Sequence, residues 1–241
     1  MVESAANKLR RVFVTDHIRV VGDDFEEFLA ELYGCRVCSL SCEGAPAPPA
    51  GRIGVGASLD VLLVGWNPQV RDYARQASLS YEGWRAEAAS ELERASVPFR
   101  HLVGRLLPLG VELGGGRVAN TRVWKWPTAT KTSGDSARAG VCAEKHLWRE
   151  VELLRPRLIL TYDKNAADFF LRAATARGVP VDQQNSWPSV VGWAAPHRAW
   201  GWPMALLLIT GKRDKTHEEI AFISDRGAKL LEECVLSEPA P

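Results

Sequence analysis

The chain has 241 residues, 30 lysines and arginines against 29 aspartates and glutamates, a net charge of +1 and a hydrophobic fraction of 46%. These proportions exclude a disordered or fibrous chain, and they require any nucleic-acid site to be a local basic surface rather than a global one. No apolar run approaches bilayer-spanning length, and the start MVESAANKLRRVFVTDH lacks the apolar core and cleavage site of a signal peptide, so the expectation is a cytoplasmic, monomeric, single-domain protein that does not engage a membrane.

Residues 23–33 (DDFEEFLAELY) place apolar side chains at helical spacing behind acidic residues that favour a helix start. Three cysteines follow closely, Cys35, Cys38 and Cys42, a cluster that in a reducing compartment reads as metal ligands rather than disulfides. Residues 44–56 (GAPAPPAGRIGVG) have neither period nor helix propensity and read as an extended connection. LDVLLVG, residues 59–65, is a nearly continuous apolar run ending in glycine, as expected of a central strand buried on both faces. Residues 73–107 are helical in character, with a break near Pro98.

A second strand is expected at 117–126 (RVANTRVWKW), an amphipathic helix at 139–154, a third strand at 157–162 (RLILTY) and its helix at 165–174. A fourth strand is expected at 204–210 (MALLLIT), followed by a helix at 218–233. Strands alternating with helices imply a three-layer α/β/α domain around a mostly parallel four-stranded sheet, with core residues 59–235. Such sheets bind ligands outside the C-terminal ends of their strands, which selects the loops at 65–71, 120–126, 163–165 and 211–217. The tryptophan-rich stretch 187–202 carries enough glycine and proline to read as an irregular lid that would enlarge a pocket for a bulky modified base.

The first of these loops, Gly65-Trp66-Asn67-Pro68-Gln69, combines a glycine that permits a tight strand end with a proline that stiffens the exit. Alone it is an ordinary turn. In context it resembles the first active-site motif of the uracil-DNA glycosylase superfamily, whose mismatch-specific and single-strand-selective branches carry Gly-x-Asn-Pro. The iron-sulfur branch then has a Pro-Phe pair, a helix, and a strand bearing Thr-Asn-Val-Val-Lys-Cys-Arg-Pro. Here Pro98-Phe99 is followed by Asn120-Thr121-Arg122-Val123-Trp124-Lys125-Trp126-Pro127, and Glu150 to Arg157 is similar to that branch's Glu-Leu-x-x-Leu-Arg-Pro-Lys.

The resemblance, which covers roughly residues 35–232, implies a base-flipping enzyme that hydrolyses the glycosidic bond of a damaged or modified base in DNA, in repair or antiviral defence. It implies that Asn67 positions the attacking water, Asn120 reads the flipped base and Phe99 stacks on it, with Gly65, Trp66 and Pro68 shaping the base site. An amide suits base reading because it offers both a donor and an acceptor, but Asn67 cannot take up a proton as a carboxylate would. The family's His-Pro-Ser motif is absent after the fourth strand, where the chain reads Gly211-Lys212-Arg213-Asp214-Lys215-Thr216-His217. Lys212, Arg213 or His217 is then left to stabilise the departing base. Lys212, Arg213, Lys215 and His197 are the candidate DNA contacts.

Four cysteines hold the cluster of the iron-sulfur branch. Cys35, Cys38 and Cys142 resemble three of them, Trp126 stands at another's position, and Cys42 would complete a thiolate set for a four-iron four-sulfur cluster or zinc. The alternative is loss of the metal, since the chemistry itself needs no cofactor. The competing function is a non-catalytic nucleic-acid sensor that uses the same pocket, a reading favoured by the absent histidine.

Overall fold

Uninterrupted apolar strands need cover on both faces, and the chain supplies it with helices on each side of a sheet. The computed structural model describes residues 21–35, 59–66, 79–84, 118–125, 135–183, 190–210 and 215–237. Helix α1 is Val21–Gly34, and the all-buried strand β1 is Val61–Gly65. Strand β2 is Val118–Arg122. Helix α2 runs continuously through Asp135–Cys142, a π-helical stretch Ala143–Leu147, and Trp148–Leu154. Strand β3 (Leu158–Thr161) leads into α3 (Lys164–Ala176). Strands β4 (Asp182–Gln183), β5 (Val190–His197) and β6 (Met204–Ile209) follow, and α4 (His217–Leu236) closes the described chain. Of the helix expected over 73–107, the described residues include one helical turn at 81–84, whose Trp84 is fully buried against Tyr33 and Tyr81.

The sheet order is β2-β1-β3-β6-β5-β4. The first four strands are parallel, and β5 and β4 are antiparallel additions at one edge. The expected four-stranded sheet is therefore corrected to six strands. The four anticipated strands form its parallel part; of the two added strands, β5 comes from the segment expected to be a lid and β4 from the residues just before it. Residues 190–194 alternate between buried and half-buried, the period-two pattern of a strand, and Val190 pairs with Ile209 while His197 pairs with Met204. Proline and glycine masked that alternation: Gly192 is required because a Cβ there would lie 2.6 Å from the Asp182 carbonyl oxygen of β4.

Side chains alternate between two cores. One face packs Leu62, Val64, Ala119, Ile159 and Leu206 against α1, α2 and α3, including Phe28, Leu147 and Phe170. The other packs Val61, Leu63, Val118, Leu160 and Leu207 against Ile223, Leu230 and Leu231 of α4. Burial at roughly 25 cal/mol per Å² of apolar surface is the main driving term for both. Thr161 bridges β3 to the end of β6, donating to the Ile209 carbonyl and accepting from the Ile209 amide at 3.1 and 2.8 Å. Among the described residues no helix is long and apolar enough to cross a membrane.

Candidate functional site

The strand order creates a place for a ligand before any side chain is considered. From β1 the chain goes to β2 on one side, whereas from β3 it crosses to β4, β5 and β6, all on the other. Loops leaving neighbouring strands in opposite directions open a crevice at their C-terminal ends, the switch point where sheets of this kind bind ligands. At this switch point Gly65-Trp66 leaves β1 and Tyr162-Asp163 leaves β3.

Asp163 ties the two loops together. Its Oδ1 caps α3 by accepting from the Ala166 amide at 2.9 Å, and its Oδ2 accepts from the Trp66 amide. The Val123 and Trp124 amides donate to the Gly65 and Trp66 carbonyl oxygens, each at 2.8 Å, so the chain just before Asn67 is also tied to the end of β2.

Asn120 lies on β2 opposite Leu63, on the α4 side of the sheet. Its amide oxygen accepts from Arg122 Nη1 at 2.6 Å and from Tyr162 Oη at 3.1 Å. A guanidinium only donates, so the amide atom facing Arg122 is the oxygen, and the side chain's orientation follows from its partners. Arg122 also lies over the Tyr162 ring, 5.1 Å from its centroid. Tyr162 rests on Gly65, where a Cβ would fall 2.4 Å from the tyrosine oxygen. Glycine at 65 is thus required by close side-chain approach rather than by an unusual turn.

On the opposite side of β2, Thr121, Lys125 and Glu150 form a fully buried network. Lys125 Nζ donates to Glu150 Oε2 and to Thr121 Oγ1, and Thr121 donates to Glu150 at 2.9 Å. The network fastens the strand bearing Asn120 to α2.

The remaining expected residues divide clearly. Gly65 and Asn120 are brought together through Tyr162. Trp66 belongs to the core facing α1 and α2, so its indole lies away from the Asn120 side of the sheet, contrary to the expected base contact. His197 pairs with the first residue of β6 and so lies at the opposite end of the sheet, where its Nδ1 accepts from the Ala199 amide at 3.0 Å. It therefore lies away from the strand ends that carry Gly65 and Asn120. His217 is the exposed first residue of α4, on the correct end and face, but β6 stands two strand spacings from β1, about 10 Å, and three from β2, about 14 Å. Lys215 Nζ donates to the Thr210 carbonyl at 3.2 Å. Asn67, Pro68, Phe99, Lys212 and Arg213 lie outside the described residues.

Of the expected metal ligands, Cys38 and Cys42 lie outside the described residues, and Cys35 and Cys142 are buried. Cys35 Sγ lies 3.2 Å from His146 Nε2, whereas Cys142 Sγ accepts from the Lys125 amide at 3.3 Å. Burial, reinforced by Lys125, Lys145 and Arg149, lowers the His146 pKa from 6.5 to about 4 and keeps the ring neutral. Among the described residues no three His, Cys, Asp or Glu side chains are grouped to hold a metal ion.

Tyr162, Asp163 and Arg122 were not singled out from sequence. The strand-end rule did select the loop at 163, and an aspartate directly before a helical run is a legible N-cap. No local pattern indicates that Tyr162 reaches Asn120, 42 positions away. No protein-family model matches the chain, and no curated protein matches it.

Proposed function

We propose that the chain is a DNA glycosylase of the uracil-DNA glycosylase type, which flips a base out of DNA and hydrolyses its bond to the sugar. The observation that carries this reading is the Asn120 amide, held by Arg122 and Tyr162 at the strand ends beside Gly65, the residue that opens the Gly-x-Asn-Pro motif. A base-reading amide and a water-positioning amide at adjacent strand ends are what such a reaction needs, since its transition state pairs an oxocarbenium-like sugar with a departing base anion. The order of the sequence motifs adds support.

In this reading Asn67 orients water through its carbonyl oxygen, Asn120 binds the flipped base, Phe99 stacks on it, and Lys212, Arg213 or His217 neutralises the leaving group. His217 reaches the site only if the bound nucleotide extends toward β6, given the roughly 10 Å that separates β6 from β1. The chemistry is slow because an amide accepts no proton.

The test is a glycosylase assay on oligonucleotides carrying uracil, hypoxanthine, thymine mismatches and bulky 5-substituted cytosines, with alkaline cleavage revealing abasic sites. Cleavage is expected to vanish in Asn67→Ala. It is expected to rise by up to about 100-fold in Asn67→Asp, where a carboxylate supplies general-base catalysis. DNA binding without cleavage of any substrate identifies the sensor function instead, and absence of DNA binding overturns both.

A further inference from the structure

One link to the motif loop is made differently from the others. Between β1 and β3 the backbone ladder ends where the Tyr162 amide donates to the Val64 carbonyl at 3.2 Å. The next amide on that edge is Trp66, and by then β3 has ended at Thr161. The acceptor it finds is a side chain, Asp163 Oδ2, while Oδ1 of the same carboxylate caps α3 at the Ala166 amide, 2.9 Å away. On the other side the links are backbone ones, from the Val123 and Trp124 amides to the Gly65 and Trp66 carbonyls. Trp66 is thus held at its amide by Asp163 and at its carbonyl by the end of β2, and that carbonyl belongs to the planar peptide bond joining it to Asn67. Hydrogen bonds from two backbone amides to an ionised carboxylate are charge-assisted, which holds the half-buried Asp163 side chain in one orientation.

We propose that Asp163 is a positioning residue for base release: it takes the place of the next backbone rung, sets the peptide from which Asn67 departs, and so governs the rate of the chemical step without contributing to DNA affinity. This rests on the reading of the chain as a glycosylase. A water-orienting amide transfers no proton, so its whole contribution lies in where it is placed, and a displacement of about 1 Å at such a group costs on the order of 100-fold in rate. Asp163 is itself an anion with each oxygen engaged by a backbone amide, the opposite of what a phosphate contact needs. Its loss therefore acts on the chemical step rather than on binding.

The experiment compares the native chain with Asp163→Ser and Asp163→Asn in single-turnover cleavage of the uracil, hypoxanthine, mismatched-thymine and 5-substituted-cytosine oligonucleotides. The Kd for the same DNA and the hydrogen exchange of the Trp66 amide are measured beside it. Serine keeps a capping oxygen for α3 but is too short to serve Trp66 as well. Asparagine keeps the shape of the side chain but turns an NH₂ group toward one of the two amides. In both variants the cleavage rate is expected to fall about 10- to 100-fold while Kd changes by less than about twofold. Exchange at the Trp66 amide is expected to quicken, with the amides inside β1 and β3 unchanged. Gly192→Ala, which strains the far edge of the sheet, is expected to leave the cleavage rate as it is, which separates lost positioning from lost stability.

A native cleavage rate in a folded Asp163→Ser or Asp163→Asn variant overturns the proposal, as does a loss that appears in Kd with the rate unchanged, or an equal loss of rate in Gly192→Ala. Failure of the native chain to release any base overturns the glycosylase reading itself, and the Trp66 exchange, which needs no cleavage, tells that failure apart from a failure of Asp163 to hold the loop.

Discussion

Asp163 shows how one carboxylate performs two tasks that a sequence motif does not announce. One oxygen closes the first turn of α3, and the other holds the Trp66 amide, immediately before Asn67. Asp163→Ala is expected to cost about 1 to 2 kcal/mol, since it removes an N-cap and a second acceptor. Asp163→Asn retains one acceptor for the cap but turns an NH₂ group toward the Trp66 amide, so an intermediate loss is expected. Denaturant midpoints at unchanged m-value measure both, and an alanine variant as stable as the native chain would show that the contact contributes nothing. Tryptophan 66 carries a related lesson. It stands in the motif loop, yet its indole belongs to the core, because the residue after a strand still inherits the sheet's alternation of faces.

At the scale of elements, β2 is fastened from both sides. Its α4-facing side carries Asn120 and Arg122, and its α2-facing side is pinned by Thr121, Lys125 and Glu150. Removing one member of a buried pair leaves an uncompensated charge, so Glu150→Leu is expected to destabilise by about 3 to 5 kcal/mol. Lys125→Met/Glu150→Leu is expected to recover most of that loss, because two apolar side chains of similar volume need no desolvation of charge. A double-mutant cycle measures the coupling, and strictly additive losses would show that the two side chains do not act as a pair. The helices themselves follow local rules. Thr216 and Glu219 form a reciprocal capping box at the start of α4, with the Glu219 amide donating to Thr216 Oγ1 at 3.1 Å and the Thr216 amide to Glu219 Oε2 at 2.8 Å.

Over the whole molecule, the sheet separates the candidate site from the antiparallel edge. β2 stands at one edge and β4 at the other, with four strands between them. Gly192→Ala forces a Cβ to within 2.6 Å of the Asp182 oxygen, which β4 must yield to accommodate. The expected result is a loss of about 1 to 3 kcal/mol, typical of overpacking, with faster hydrogen exchange at 182–183 and unchanged preference among bases. A change in base preference would mean that the edge and the site are coupled through the sheet.

The α/β class and the four parallel strands, to within a few residues, were legible in the sequence. Those features rest on short-range causes: apolar runs, caps and strand-ending glycines. Long-range pairing, by contrast, is what makes 190–197 the fifth strand across the sheet, sets His197 beside the first residue of β6, and brings Tyr162 and Arg122 onto the acceptor of Asn120. These depend on which distant segments pair and in which direction, and that is settled by burial and hydrogen bonding across the assembled sheet rather than by any local pattern.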